Sequence, residues 1–295
     1  MIFGYCLKEL QLNHPTSRIW RILRWGGIVV SAGICALCVL IVQYQEQLIF
    51  PYYSESSQKP VEERVEPLSV GVERILIGEK GNQIEAWIKR PITQPKGVAL
   101  VFRANLGLLV DHVSLIEWAA DHGYVAAVFN YPGMGLSEGF PSEQSILDAG
   151  EVVFKQLKDT LLAPTGRIWI IGYSIGTGPA GIFAAKHAPD LLTLFAPYTD
   201  LQDVVKSRTL FWPFAPFLRF RFPLQEPISS LRHTDFIVAT GGADRTVLPE
   251  ISARVFKLYK GDGRKIRIHN PTGEHDRLLG ANRLQLDEAL TILGY

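Results

Sequence analysis

Three residues of this 295-residue chain have the types and the chain order that nucleophilic hydrolysis needs. The first is Ser174, in Gly172-Tyr173-Ser174-Ile175-Gly176. A serine hydroxyl is a weak nucleophile until a base takes its proton, and that base must itself be oriented by a third group. By itself Gly-x-Ser-x-Gly also describes an ordinary glycine-rich turn. Here it follows the apolar run Ile168-Trp169-Ile170-Ile171 and precedes a helix-like stretch ending at Lys186, the setting of a nucleophile elbow. Glycines on either side of the serine let the adjoining strand and helix close in, since neither has a Cβ. An elbow predicts an acid and then a histidine further along, each just after a later strand. Asp244 lies in Gly241-Gly242-Ala243-Asp244, after the run Phe236–Thr240, and His275 lies in Gly273-Glu274-His275-Asp276, after Ile266–His269. An isolated loop aspartate is usually a turn former, so Asp244 gains its interest from its place in this order. In the expected division of labour His275 takes the Ser174 proton as general base. Asp244 holds the imidazole tautomer and stabilises the imidazolium.

The other histidines have plainer readings. His14 precedes an apolar stretch, His122 and His187 fall near helix ends, His112 and His233 in polar loops, and His269 within a strand. No His-x-x-x-His pair, dinucleotide fingerprint or phosphate-cradling loop occurs, so neither a metal nor a cofactor is expected. Cysteine is confined to Cys6, Cys35 and Cys38. The Cys35/Cys38 pair lies inside an apolar run and reads as small lipid-facing residues rather than a redox pair. Formal net charge is +1, with no basic run interleaved with aromatics, which argues against a nucleic-acid partner.

The elements that must position these residues alternate between two periodicities. Strands are expected at Val72–Ile77, Ile84–Lys89, Val98–Phe102, Val125–Tyr131, Ile168–Gly172, Leu191–Ala196, Phe236–Thr240 and Ile266–His269. Helices are expected at Val113–His122, Ser142–Leu157, Ile175–His187, Pro249–Tyr259 and Asp276–Leu293. The first two strands read as an antiparallel edge pair. The rest, separated by helical crossovers, imply a parallel sheet covered on both faces.

Ahead of this domain, residues 25–45 carry no charge and have about the length that crosses a bilayer, so they are expected to form a transmembrane helix. Lys8, Arg18, Arg21 and Arg24 precede it and Glu46 and Glu55 follow, which places residues 1–24 in the cytoplasm and the C-terminal domain on the other side. A cleaved signal peptide is the competing reading, but no small-x-small site follows the apolar run. Residues 46–69, acidic and punctuated by Pro51, Pro60 and Pro67, read as a linker to a domain at 70–295.

With these residues in place the chain resembles the membrane-anchored α/β hydrolases that carry a serine-aminopeptidase-like domain, from about Gln47 onward. Gln47-Leu48-Ile49-Phe50-Pro51 is similar to the segment just after the anchor in that branch. Asn130-Tyr131-Pro132-Gly133-Met134-Gly135-Leu136-Ser137-Glu138-Gly139 is similar to its glycine-rich loop, and the Asp244 and His275 loops to its acid and histidine loops. The resemblance implies an α/β-hydrolase fold with a short cap at about 200–230 and an oxyanion hole made by the backbone N–H groups of Ile175 and Asn105. It departs at Arg103-Ala104, where the family usually has His-Gly. That substitution either weakens turnover or tunes the site for an anionic substrate. The cap segment Phe211–Phe222 mixes aromatics with Arg219 and Arg221, with Arg208 just before it; it is expected either to bind an acyl chain with arginines at a headgroup or carboxylate, or merely to pack on the sheet. The implied activity is hydrolysis of a carboxylic ester or thioester, on an apolar or lipid-like substrate, through an acyl-enzyme. A peptidase with the same triad and a silent scaffold binding a lipid or protein partner stay open as alternatives.

Overall fold

The computed structural model describes residues 16–51, 70–105, 109–161, 166–208 and 212–295. Two units separate at Tyr44/Gln45. The first is the helix α1 (Thr16–Gln43), whose stretch Arg18–Gln43 is long and apolar enough to cross a membrane. Its large side chains, such as Ile22, Leu23, Val29 and Leu37, are exposed, as a lipid-facing helix requires. Cys6, His14 and most of the expected linker, residues 52–69, lie outside the described residues.

The second unit is built on a sheet of eight strands among the described residues: β1 (Val72–Ile77), β2 (Ile84–Lys89), β3 (Gly97–Phe102), β4 (Tyr124–Phe129), β5 (Arg167–Tyr173), β6 (Leu191–Phe195), β7 (Asp235–Gly241) and β8 (Lys265–Asn270). They lie in the order β1-β2-β4-β3-β5-β6-β7-β8. β1 pairs antiparallel with β2, and β2 antiparallel with β4; every pair from β4 to β8 is parallel. β3, β4, β6 and β7 are buried at every position, as strands covered on both faces must be. β1 and β8, at the edges, keep exposed positions.

The covering helices follow the expected crossovers: α3 (Val113–Asp121), α4 (Glu143–Leu161), α5 (Thr177–His187), α8 (Pro249–Leu258), α9 (Leu278–Ala281) and α10 (Arg283–Leu293). The expected Asp276–Leu293 helix is broken at Asn282, where the two helices α9 and α10 meet. α6 (Leu201–Lys206), a 3-10 turn at Trp212–Phe217 and α7 (Gln225–Ser230) make the short cap.

One boundary differs from the expected 46–69 linker. Residues 45–49 form a short helix, α2 (Gln45–Ile49), that belongs to the sheet-bearing unit, and Phe50 is fully buried against Tyr131 and Phe220. Glu46 and the prolines made this stretch look like a spacer. The apolar Phe50 and the amide of Gln45 are what dock it.

Candidate active site

In a parallel sheet the cleft opens where the strand order reverses, outside the carboxyl ends of the strands. Here β3 lies between β4 and β5, and Phe102 pairs with Gly172, so the loop leaving β3 lies beside the turn leaving β5. That turn holds Ser174 at φ +53°, a left-handed conformation that a serine occupies only when its surroundings impose it. The imposition is steric. A Cβ on Gly172 would stand 2.7 Å from the Ala180 Cβ, and one on Gly176 would stand 2.2 Å from the Phe102 carbonyl oxygen. Only glycine allows strand, elbow and β3 to meet this closely.

Ser174, Asp244 and His275 are brought together as a buried hydrogen-bonded chain. The Ser174 Oγ lies 2.8 Å from His275 Nε2, and His275 Nδ1 lies 2.7 Å from Asp244 Oδ2. Ionised Asp244 has no proton to give, so Nδ1 carries the hydrogen and Nε2 is left to accept from the serine. The second carboxylate oxygen, Oδ1, accepts the N–H groups of Thr246 and Val247 at 2.7 and 2.8 Å, which fixes the acid in its loop. Each member comes from the carboxyl end of a different strand: β5, β7 and β8.

Tyr173 locks two of these loops together. Its hydroxyl donates to the His275 carbonyl at 2.6 Å and accepts the Leu278 N–H at 3.1 Å, while its ring stacks on Phe195. Burial pushes the Tyr173 phenol well above its ordinary range, so it keeps the proton it donates. Sequence reasoning treated this residue only as the variable position of the elbow.

Of the two expected oxyanion donors, Ile175 is the second residue of the 3-10 turn Ser174–Gly176, where the first N–H groups of a helical segment have no partner within it. Asn105 lines the cleft directly. The cleft, of about 440 Å³, is also lined by Ala104, His112, Tyr173, Ser174, Thr246 and His275. His112, expected in a polar loop, is buried in the 3-10 turn Leu109–His112, and its Nε2 accepts the Ala104 N–H at 3.1 Å. No periodicity marks such a contact, because it joins a loop to a turn eight residues on.

The contacts of the arginines bear on the alternatives left open for them. Arg103 does not face the cleft for an anionic substrate. It is fully buried, its guanidinium donating to Asn130 Oδ1 and its carbonyl accepting the Tyr131 hydroxyl at 2.6 Å. Asn130 in turn donates to Glu85, a buried carboxylate paired with Arg74 at 2.7 Å. A buried cation is tolerable only with such partners; here Asn130, itself held by Glu85, takes the guanidinium, and none of these residues lines the cleft. In the cap, Arg221 holds Asp200, Arg219 pairs with Glu46 at 2.9 Å, and Arg208 donates to the Arg245 carbonyl. Phe220 and Phe222 are packed inward, and none of the cap's described residues lines the cleft. Phe220 and Phe222 therefore take the packing alternative, while Phe217, Arg219 and Arg221 stay exposed.

The chain has the α/β-hydrolase fold. An α/β hydrolase of Vibrio vulnificus superposes with a TM-score of 0.63 at 16% identity, over 85% of this chain and 94% of that one. Among relatives by sequence, an α/β-hydrolase domain-containing protein of Arabidopsis thaliana, WAV2, is 27% identical over 241 residues, covering 79% of this chain and 74% of its own length. A membrane protein of Saccharomyces cerevisiae of uncharacterized function is 23% identical over 280 residues, covering 88% and 92%. The lysophosphatidylserine lipase ABHD12 of Danio rerio is 29% identical over 141 residues, which is 45% of this chain and 35% of the lipase. No family model matches the chain. The α/β-hydrolase fold accounts for the sheet order and for the place of the cleft. The chemistry rests on the side chains this sequence puts there.

Proposed function

We propose that this chain is a membrane-anchored serine hydrolase that cleaves a carboxylic ester or thioester through an acyl-enzyme. The observation that carries the reading is the 2.8 and 2.7 Å hydrogen-bonded chain from Ser174 through His275 to Asp244, with the serine held on a strained elbow. Ser174 Oγ attacks the acyl carbon while its proton passes to His275 Nε2, and the carbonyl oxygen becomes an oxyanion facing the N–H groups of Ile175 and Asn105. Collapse breaks the bond to the leaving group, which takes the proton from His275. Water then attacks the acyl-serine, giving its proton to the same nitrogen, which passes it to Ser174 Oγ as the bond to the acid breaks. Asp244 stays ionised throughout.

The substrate class follows from setting. An enzyme tethered beside a bilayer meets acyl chains there, and a lipase is among the partial relatives, so an apolar or lipid-like acyl substrate is proposed. Lys8, Arg18, Arg21 and Arg24, ahead of the apolar run 25–45, support an orientation with the N-terminus in the cytoplasm and the catalytic unit on the opposite side. The test is labelling of the full chain by a fluorophosphonate probe. Labelling is expected in the wild type, absent in Ser174→Ala and at least a hundredfold slower in His275→Ala. A folded wild-type chain that takes no label overturns the reading.

A further inference from the structure

The segment Gln45–Phe50 makes contacts that a spacer has no reason to make. The Gln45 side chain, buried, donates from Nε2 to the Phe217 carbonyl at 2.9 Å and accepts the Arg219 N–H at Oε1 at 2.8 Å. Both ends of one amide are thus spent on the backbone of the cap turn. Glu46 adds its pair with Arg219, and Phe50 is wedged between Tyr131 and Phe220. The end of this fixed helix then touches the active site: the Ile49 carbonyl accepts a hydrogen bond from Asn105 Nδ2 at 2.6 Å.

An oxyanion donor works only when it stands about 2.7–3.1 Å from where the oxygen's charge develops, and removing one costs roughly 10² to 10³ in turnover. The loop at 103–105 follows the end of β3 and has no ladder of its own beyond Phe102. Ala104 and Asn105 are each held by a hydrogen bond. His112 takes the Ala104 N–H, and Ile49 takes the Asn105 side chain. Both come from the sheet-bearing unit, the second from a helix that begins two positions after α1 ends.

We propose that the juxtamembrane segment is a positioning element of the active site, in which Gln45 secures α2 and the Ile49 carbonyl holds Asn105 so that its backbone N–H faces the oxyanion. The inference rests on the serine-hydrolase reading above and deepens it: transition-state stabilisation is tied to the stretch of chain that leaves the membrane anchor.

The experiment uses the full chain in detergent and a fluorophosphonate whose inactivation is resolved into its binding constant KI and its limiting rate kinact. Phosphonylation develops charge on the P=O oxygen in the oxyanion hole, so kinact reports the donors and KI does not. Asn105→Asp keeps the backbone N–H but replaces the donor with a repelling oxygen, and is expected to lower kinact at least tenfold with KI changed less than twofold. Gln45→Ala is expected to lower kinact at least threefold, again with KI unchanged, and the double variant to be no slower than Asn105→Asp alone. If Gln45→Ala does not fold, as judged by thermal unfolding, Asn105→Ala carries the test by the same kinact and KI criterion. A labelled wild type whose kinact is within twofold of that of Gln45→Ala, or whose two substitutions act multiplicatively, overturns the positioning role alone. An unlabelled wild type overturns the hydrolase reading and this inference with it.

Discussion

Gly176→Ala tests the close approach on which the site depends. The added Cβ would stand 2.2 Å from the Phe102 oxygen and 2.4 Å from the Arg103 oxygen, both on the backbone leaving β3. An ordinary C···O approach is about 3.3 Å, so one side must retreat by about 1 Å. Either the elbow moves, carrying Ile175, or the end of β3 moves, carrying Asn105; the separation of the two proposed oxyanion donors changes in both cases. Overpacking of this kind costs roughly 1–3 kcal/mol of stability, which lowers the melting temperature by about 2–4 °C per kcal/mol for a domain of this size. A misplacement of about 1 Å at the reacting groups costs on the order of 10² in rate. The assay pairs thermal unfolding with steady-state hydrolysis of a short-chain p-nitrophenyl ester. The expected result is a folded protein, a few degrees less stable, with kcat down about a hundredfold. Wild-type kcat in a protein that melts lower would show that the approach of the elbow to β3 serves packing only, and would refute the reasoning.

Asp244→Asn leaves an acceptor for the Thr246 and Val247 N–H groups but removes the charge that holds the His275 tautomer; kcat is expected to fall about 10⁴-fold with the melting temperature little changed, and a fall below tenfold would contradict the assigned role. Arg221→Ala breaks an exposed pair with Asp200 and should cost no more than about 1 kcal/mol. Its preference between neutral and anionic esters should match the wild type, and a lost preference for anionic esters would restore a substrate-binding role to this arginine. Alkaline pH should unfold the protein. Burial raises the phenols of Tyr131, Tyr173 and Tyr198, and that of Tyr124 to about 12, so above pH 10 the folded state binds more protons than the unfolded one. Stability is then full below pH 10 and falls above it, by about 1.4 kcal/mol per pH unit for each such tyrosine. Melting temperatures across pH 8–12 check this, and a flat profile above pH 10 would refute it.

The sheet was legible because its central strands are continuous apolar runs and its edge pair turns around Gly78–Gly81, signals that reside in neighbouring residues. Ser174, Asp244 and His275 were legible for a related reason: each follows a strand, and the order of strands in the chain is the order of the loops. What escaped has its partner far away in sequence. Gln45 meets Phe217 and Arg219 across more than 170 residues, and Tyr173 meets His275 across 102. Arg103 misled for a physical reason. A cation near a catalytic serine invites pairing with a substrate, but the carboxylate that offsets it, Glu85, enters through Asn130 from β2, which no local pattern connects to it.

The three hydrogen-bonded side chains come from the ends of β5, β7 and β8, and this separation has a consequence during synthesis. Synthesis runs from the N-terminus, so the apolar helix α1 is made before the sheet exists. Ser174 is then made while its base is not. Until β7 and β8 dock, it is an ordinary alcohol on a forming sheet. Reactivity arrives only when nearly the whole polypeptide has been laid down and packed. On the proposed reading, a half-folded chain therefore carries no activated serine.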